Sequence, residues 1–240
     1  MNHQKATGKE TARATSGWQR LKGARAPEPG LHIVATPIGA LADITLRALD
    51  TLAGADLIAC EDTRTTRVLL DAYGISARLM AYHEHNADKA GPQILAALDD
   101  SAVVALVSDA GTPLLSDPGY RLVEEVLKSG HKVVPVPGAS ALLAALVGSG
   151  LPTDGIYFAG FLPPKSAARR ARLEALGETP ATLVLYEAPH RIGEALADCA
   201  AVFGPERRAV LARELTKTFE EFRRGSLSAL IEAQEDDPAR

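Results

Sequence analysis

Short apolar runs alternate with amphipathic stretches from Leu31 onward. LHIVAT (31–36), DLIAC (56–60), RLMAY (78–82), VVALV (103–107) and KVVPV (132–136) have the length and composition of buried strands. Between them the spacing predicts helices over 43–55, 63–74, 88–99, 119–130 and 139–150. In the first of these Ile44, Leu46, Ala48, Leu49 and Leu52 fall at helical intervals, with Asp43 as the expected N-cap. Gly74 closes the second, and Asp117 with Pro118 opens the fourth. A further series follows: strands at 156–163, 181–187, 207–216 and 217–226, and helices at 165–176, 190–204 and 227–234. Strands alternating with helices in this way predict an α/β fold with largely parallel sheets. Leu151-Pro152-Thr153-Asp154-Gly155 is the natural joint, so two α/β domains are expected, 31–151 and 152–240.

Charge changes the picture at the N-terminus. Residues 1–30 carry six basic and two acidic side chains, a net of +4, so the other 210 residues carry −8 against a total of −4. Poor in aliphatic residues, the stretch reads as a disordered basic arm. The two cysteines, Cys60 and Cys199, are too far apart for a metal-binding pair and encode no disulfide framework, which favours a reducing, cytoplasmic setting. No apolar stretch is long enough to cross a membrane, and the N-terminus lacks a signal-peptide core.

In open α/β sheets ligands bind beyond the carboxyl ends of the strands. Those ends are unusually rich in turn formers and polar side chains: Thr36-Pro37-Ile38-Gly39, Glu61-Asp62-Thr63-Arg64, Ser108 to Pro113, Pro135 to Ser140, Gly160 to Pro163, Tyr186 to Arg191, and Ala212 to Lys217. Neither a dinucleotide glycine fingerprint nor a P-loop is present, and no GxSxG elbow supports a serine nucleophile. His83-Glu84-His85 lacks a third metal ligand and reads as a polar loop, so no metal is expected.

Seven ordered segments carry a family resemblance: VATPIGALADITLRAL (34–49), ACEDTRTT (59–66), LVSDAGTPLLSDPGYRLV (106–123), VVPVPGASA (133–141), GFLPPKS (160–166), YEAPHR (186–191) and VLARELTKTFEE (210–221). Together they resemble the bacterial small-subunit ribosomal RNA methyltransferases I, within the tetrapyrrole methylase superfamily. The resemblance implies two α/β domains with S-adenosyl-L-methionine in the cleft between them, a homodimer, and 2′-O-methylation of a cytidine ribose in the decoding region of 16S rRNA. It implies cofactor contacts at Ile38, Gly39, Asp109, Thr112, Ser140, Ala141, Tyr186 and Ala212. It also implies a further strand of the second domain beyond the matched segments.

A ribose hydroxyl is a weak acid, so the site must align it and accept its proton. Glu61, Glu187 and Glu214 are the candidate bases, with Lys217 as a cationic partner; a plain surface pair is the other reading of Glu214 and Lys217. Arg64, Lys165, Arg169, Arg170, His190 and Arg191 are the candidate RNA contacts, because phosphate binding rests on local clusters of cations. A solvated helix face is the alternative for 165–176, and a helix cap for His190 and Arg191. Two other readings of the chain stay open on its residues: a methylase of a tetrapyrrole or another small molecule, and a non-catalytic RNA-binding module.

Overall fold

The computed structural model describes residues 26–116 and 119–237. The basic arm up to residue 25 and the cap at Asp117 and Pro118 lie outside the described residues.

The first half is one five-stranded parallel sheet. Its strands are β1 (Gly30–Val34), β2 (Leu57–Cys60), β3 (Leu79–Ala81), β4 (Val103–Val107) and β5 (Val133–Val136), in the order β3-β2-β4-β1-β5. Every residue of β1, β2 and β4 is buried, as strands covered on both faces require; the one polar residue among them, His32 of β1, has its ring bonded to the Glu28 carbonyl at 2.8 Å. Two helices cover one face: α1 (Leu46–Gly54) contributes Ala48, Leu49 and Leu52, and α2 (Thr63–Ala72) contributes Leu70. On the other face lie α3 (Ala87–Asp99) with Ala90, Ile94 and Leu98, and α4 (Tyr120–Lys128) with Leu122 and Val126. Each fully buried leucine or isoleucine here is worth roughly 1.5–3 kcal/mol of hydrophobic stabilisation.

One local expectation is corrected. Asp43 does not cap α1; it lies in a 3-10 turn, Leu41–Asp43, and Thr45 is the N-cap. The Thr45 hydroxyl accepts from the Ala48 amide at 3.1 Å and donates to the Pro137 carbonyl at 3.4 Å. A cap with a second partner on the β5 loop ties the helix start to the sheet edge.

Helix α5 (Ala141–Ser149) ends at Gly150, whose φ of 75° makes the left-handed turn toward the second half. There β6 (Ile156–Phe161) pairs in parallel with β7 (Thr182–Tyr186), and β8 (Arg208–Arg213) pairs antiparallel with β9 (Glu221–Ser226). The strand expected at 217–226 is thus shorter, starting at Glu221, because residues 214–220 form a loop. Helices α6 (Ser166–Leu176), α7 (Ile192–Phe203) and α8 (Leu227–Asp236) share a core of Leu162, Leu173, Leu196, Cys199, Leu227 and Leu230.

β7 and β8 do not pair with each other. Between them runs a cavity of about 930 Å³, lined along its length by residues 180–187 and 207–212. Its inner end reaches Ala141 and Ala145 of α5. Among the described residues no helix is long and apolar enough to cross a membrane.

Candidate active site

The loops at the carboxyl edge of the first sheet are stitched to one another by hydrogen bonds. After β1, Thr36 exchanges backbone hydrogen bonds with Gly111 in the loop after β4, at 2.8 and 3.0 Å. The Thr36 hydroxyl donates to the Ser108 carbonyl at 3.3 Å. Gly111 has a φ of 80°, and a Cβ there would stand 3.2 Å from Ile38 Cγ2. Glycine therefore both permits the turn and lets Ile38 close over it. The Thr112 hydroxyl donates to the Ala139 carbonyl at 3.1 Å, joining the β4 loop to the β5 loop. Asp109 Oδ1 accepts from the Asp62 amide at 3.1 Å, joining the β4 loop to the start of α2. Four strand ends are thereby held as one surface.

Asp62 caps α2, accepting from the Arg64 amide at 2.8 Å and pairing with the Arg64 guanidinium at 2.7 Å. Hydrogen bonding to Arg64 pulls its carboxyl down to about 2. A second cavity, of about 300 Å³, lies between the β1 loop, the end of β4 and α2, and is bordered by Thr36, Gly39, Thr65, Ser108 and Asp109.

From the second half, two segments reach this surface. The Tyr186 hydroxyl, at the end of β7, accepts from the Leu142 amide at the start of α5 at 3.0 Å. Its ring meets Phe158 and Phe161 edge-on, with centroids 4.8 and 5.7 Å away. After β8, the Thr216 hydroxyl accepts from the Ala40 amide at 3.1 Å. At the far end of the interface Arg224 donates to the Gly148 and Ser149 carbonyls at the end of α5, at 2.5 and 3.1 Å.

Glu187 lines the larger cavity, and its side chain is only 5% exposed. One carboxylate oxygen accepts from the Ala188 amide at 2.8 Å and from Arg191 at 2.5 Å; the other is buried with no hydrogen-bond partner among the described residues. A buried carboxylate oxygen without a donor costs free energy in the resting protein. It is therefore the acceptor position that a ligand hydroxyl or ammonium would satisfy.

The strand-end residues Ile38, Gly39, Asp109, Thr112, Ser140, Ala141, Tyr186 and Ala212 come from the loops and helix start that meet here, and Ala141, Tyr186, Glu187 and Ala212 line the larger cavity. Gly39 borders the smaller cavity, while a Cβ there would fall 2.6 Å from Lys217 Cγ and 2.8 Å from Thr216 Oγ1, so protein packs against that side of it. Glu61 lies at the end of β2 beside Asp62, half-buried. Glu214 and Lys217 pair with each other at 3.0 Å on the loop after β8.

The basic residues divide sharply. Arg64 is 90% exposed in its side chain, and Lys165 and His190 are exposed. Arg169 is not a surface cation. It is 1% exposed, donates to Asp198 at 2.6 Å, to Glu194 at 3.3 Å and to the Pro164 carbonyl at 3.3 Å, and locks α6 against α7. Arg170 shares Asp198 at 2.5 Å while keeping half of its surface. Arg191 is committed to Glu187. Burial alone would push the Asp198 carboxyl up, but hydrogen bonds from Arg170, Arg169 and Ser166 outweigh it and hold the group below the ordinary carboxylate range. Sequence reasoning missed Thr216 and Asp198, whose partners lie 176 and 29 residues away. No local pattern marks either one.

Residues 30–231 match the family described as Tetrapyrrole (Corrin/Porphyrin) Methylases. Among curated proteins, the "Ribosomal RNA small subunit methyltransferase I" of Mesorhizobium japonicum is 62% identical over 209 residues, 87% of this chain and 71% of that protein. The protein of the same name from Pseudomonas aeruginosa is 54% identical over 200 residues, covering 83% and 71%. Two solved structures share the fold at low identity. One is a cobalt precorrin-4 methyltransferase (16% identity, TM-score 0.66, 88% of this chain and 90% of that one). The other is the uroporphyrin-III-C-methyltransferase of Thermus thermophilus (23%, 0.60, 85% and 88%). With its strand-end loops gathered on one edge and this match across nearly all of its described length, the chain belongs to the tetrapyrrole methylase family and, within it, to the ribosomal RNA small subunit methyltransferase I proteins.

Proposed function

We propose that the chain transfers a methyl group from S-adenosyl-L-methionine to the 2′-hydroxyl of a cytidine in the decoding region of 16S rRNA, in the cleft between its two α/β domains. The observation that carries this reading is the convergence of the family segments. Loops after β1, β2, β4 and β5 are hydrogen-bonded into one edge, and the ends of β7 and β8 meet that edge through Tyr186 and Thr216. The names carried by relatives at 54–62% identity support the substrate.

The residues suit the cofactor's chemistry. Asp109 is an exposed carboxylate fixed by the Asp62 amide, and Glu187 offers a buried carboxylate oxygen; both suit a ligand bearing a sulfonium and an ammonium. When bound, S-adenosyl-L-methionine supplies an electrophilic methyl carbon. Ala141, Ala212 and Leu215 give the larger cavity apolar walls, which exclude water from the reacting oxygen in this reading. Alignment of that oxygen is worth up to about 7–11 kcal/mol of barrier in the best cases, and proton acceptance about 10²–10⁴-fold. Glu187 is our choice of acceptor, ahead of Glu61 and Glu214. Its position is set by Arg191, and its second oxygen awaits a donor. Arg64, Lys165 and His190, exposed around the cleft, are the RNA contacts we retain, with Arg170 using its solvent-facing half.

Cys60 and Cys199 are buried free thiols, in keeping with work in the cytoplasm, and we read the active form as a homodimer. The second domain accepts one more strand in this reading. The gap between β7 and β8 offers two unpaired edges and an apolar lining to receive it.

The test is methylation of small ribosomal subunits from cells lacking the activity, using radiolabelled S-adenosyl-L-methionine and nuclease mapping. Label on a single decoding-region cytidine ribose is expected. Label on a small molecule instead would reassign the substrate, and cofactor binding without transfer to either would indicate a non-catalytic module.

A further inference from the structure

The loop after β8 holds a backbone that its residues do not favour. Glu214 and Thr216 both sit in the left-handed region, at φ 51° and 64°, and neither is glycine. For a β-branched residue such as Thr216 this conformation is an outlier, and it persists only where the surroundings enforce it. Here they do. The Thr216 amide donates to Glu220 at 2.7 Å, the Lys217 amide to the Glu214 carbonyl at 2.9 Å, and Lys217 pairs with Glu214 at 3.0 Å.

The contorted loop delivers one contact. Thr216 Oγ1 accepts from the Ala40 amide at 3.1 Å, across the interface of the two halves. The tip packs on Gly39, where any side chain would collide: a Cβ would lie 2.6 Å from Lys217 Cγ, 2.8 Å from Thr216 Oγ1 and 3.0 Å from the Leu215 carbonyl oxygen. Gly39 does not use a left-handed angle, so close approach, and not a turn, is what requires glycine there. Gly39 borders the smaller cavity and Leu215 the larger, so the contact lies between the two.

We infer that Thr216 is a positioning residue: seated on Gly39 and bonded to Ala40, it sets the separation of the two halves at the cleft and hence the affinity for the methyl donor. The role in affinity rests on the functional reading above; the clamp itself does not.

Three variants test it: Thr216→Val, which removes the acceptor at similar size and stiffness; Thr216→Gly, which suits the backbone angle but lacks the oxygen; and Thr216→Ser, which restores the hydroxyl. The first readout is hydrogen exchange of the Ala40 amide, which involves no activity. Exchange about tenfold faster in the Val and Gly variants, and restored in Ser, is expected, on the scale of one lost hydrogen bond. The second is calorimetric affinity for S-adenosyl-L-methionine, together with KM and kcat on ribosomal subunits. Affinity weakened about three- to tenfold, KM raised in step, kcat within about twofold and Ser near the parent are expected. Unchanged Ala40 exchange in both Val and Gly variants overturns the clamp. Faster exchange with unchanged cofactor affinity overturns its role in positioning. Absence of cofactor binding by the parent chain itself would instead overturn the functional reading, leaving the exchange result to stand alone.

Discussion

The two halves of this protein are built from similar apolar runs and end in different states. In the first, β1, β2 and β4 are buried at every residue, and five strands run in unbroken parallel register. In the second, VLYE and VLAR segments of the same character stay half-exposed, because β7 and β8 face each other across a cavity instead of pairing. The first half is held by apolar burial on both faces of a continuous five-stranded sheet. The second depends on its helical layer, where one buried ion-pair cluster joins α6 to α7. Burial on a strand is thus a property of its neighbours as much as of its residues.

The largest effect that would sharpen this contrast is expected at that cluster. Arg169→Ala takes from the buried Asp198 the one of its two arginines that is itself buried and should cost about 3–5 kcal/mol in urea unfolding. A loss below about 1 kcal/mol would remove the ionic account of the second half. The same cluster predicts a pH dependence. The folded Asp198 pKa is depressed, so its stabilisation is present above the unfolded value of about 3.9 and is lost as pH falls through that value toward the folded one. Comparing unfolding at pH 7 and pH 3 should show a smaller pH-dependent loss for Asp198→Asn than for the parent.

Next in size is the contrast between cores. Ile58, wholly buried in β2, should lose about 2–5 kcal/mol on truncation to alanine. Leu183, half-exposed on β7, should lose less than about half as much. Equal losses would mean that the cavity between β7 and β8 is sealed in solution. Native-state hydrogen exchange offers an independent view: amides on the open edges of β7 and β8 should exchange well before those of β1 and β4.

The smallest expected effect concerns capping. Thr45→Ala should destabilise by about 0.5–2 kcal/mol, while Asp43→Ala should be close to neutral in the same denaturation experiment. The reverse order would return the cap to Asp43.

Most element boundaries were legible because the chain announces them locally. Gly74, Gly130 and Gly150 all adopt positive φ at or just past helix ends, and β2 and β4 are apolar without interruption. The cap of α1 was not legible, because Asp43 and Thr45 are both good cap formers and the choice falls to Thr45's second partner, the Pro137 carbonyl. The basic helix was half legible. KSAARRARLEAL marks α6 and its charge, yet which arginine turns inward depends on Asp198, 29 residues further on. The strand-end segments marked the edge at which the candidate site lies, but not that Thr216 would reach Gly39 and Ala40 across the interface.

By itself, then, the sequence determined the alternation of strands and helices, and the edge at which polar loops collect. These follow from periodicity and from turn residues acting over a few positions. Only the tertiary structure decided which strands pair, which cations are consumed by internal carboxylates, and which loop closes on Gly39. Each of those outcomes is a choice among chemically similar partners far apart in the chain, made by which packing leaves the fewest buried groups unsatisfied.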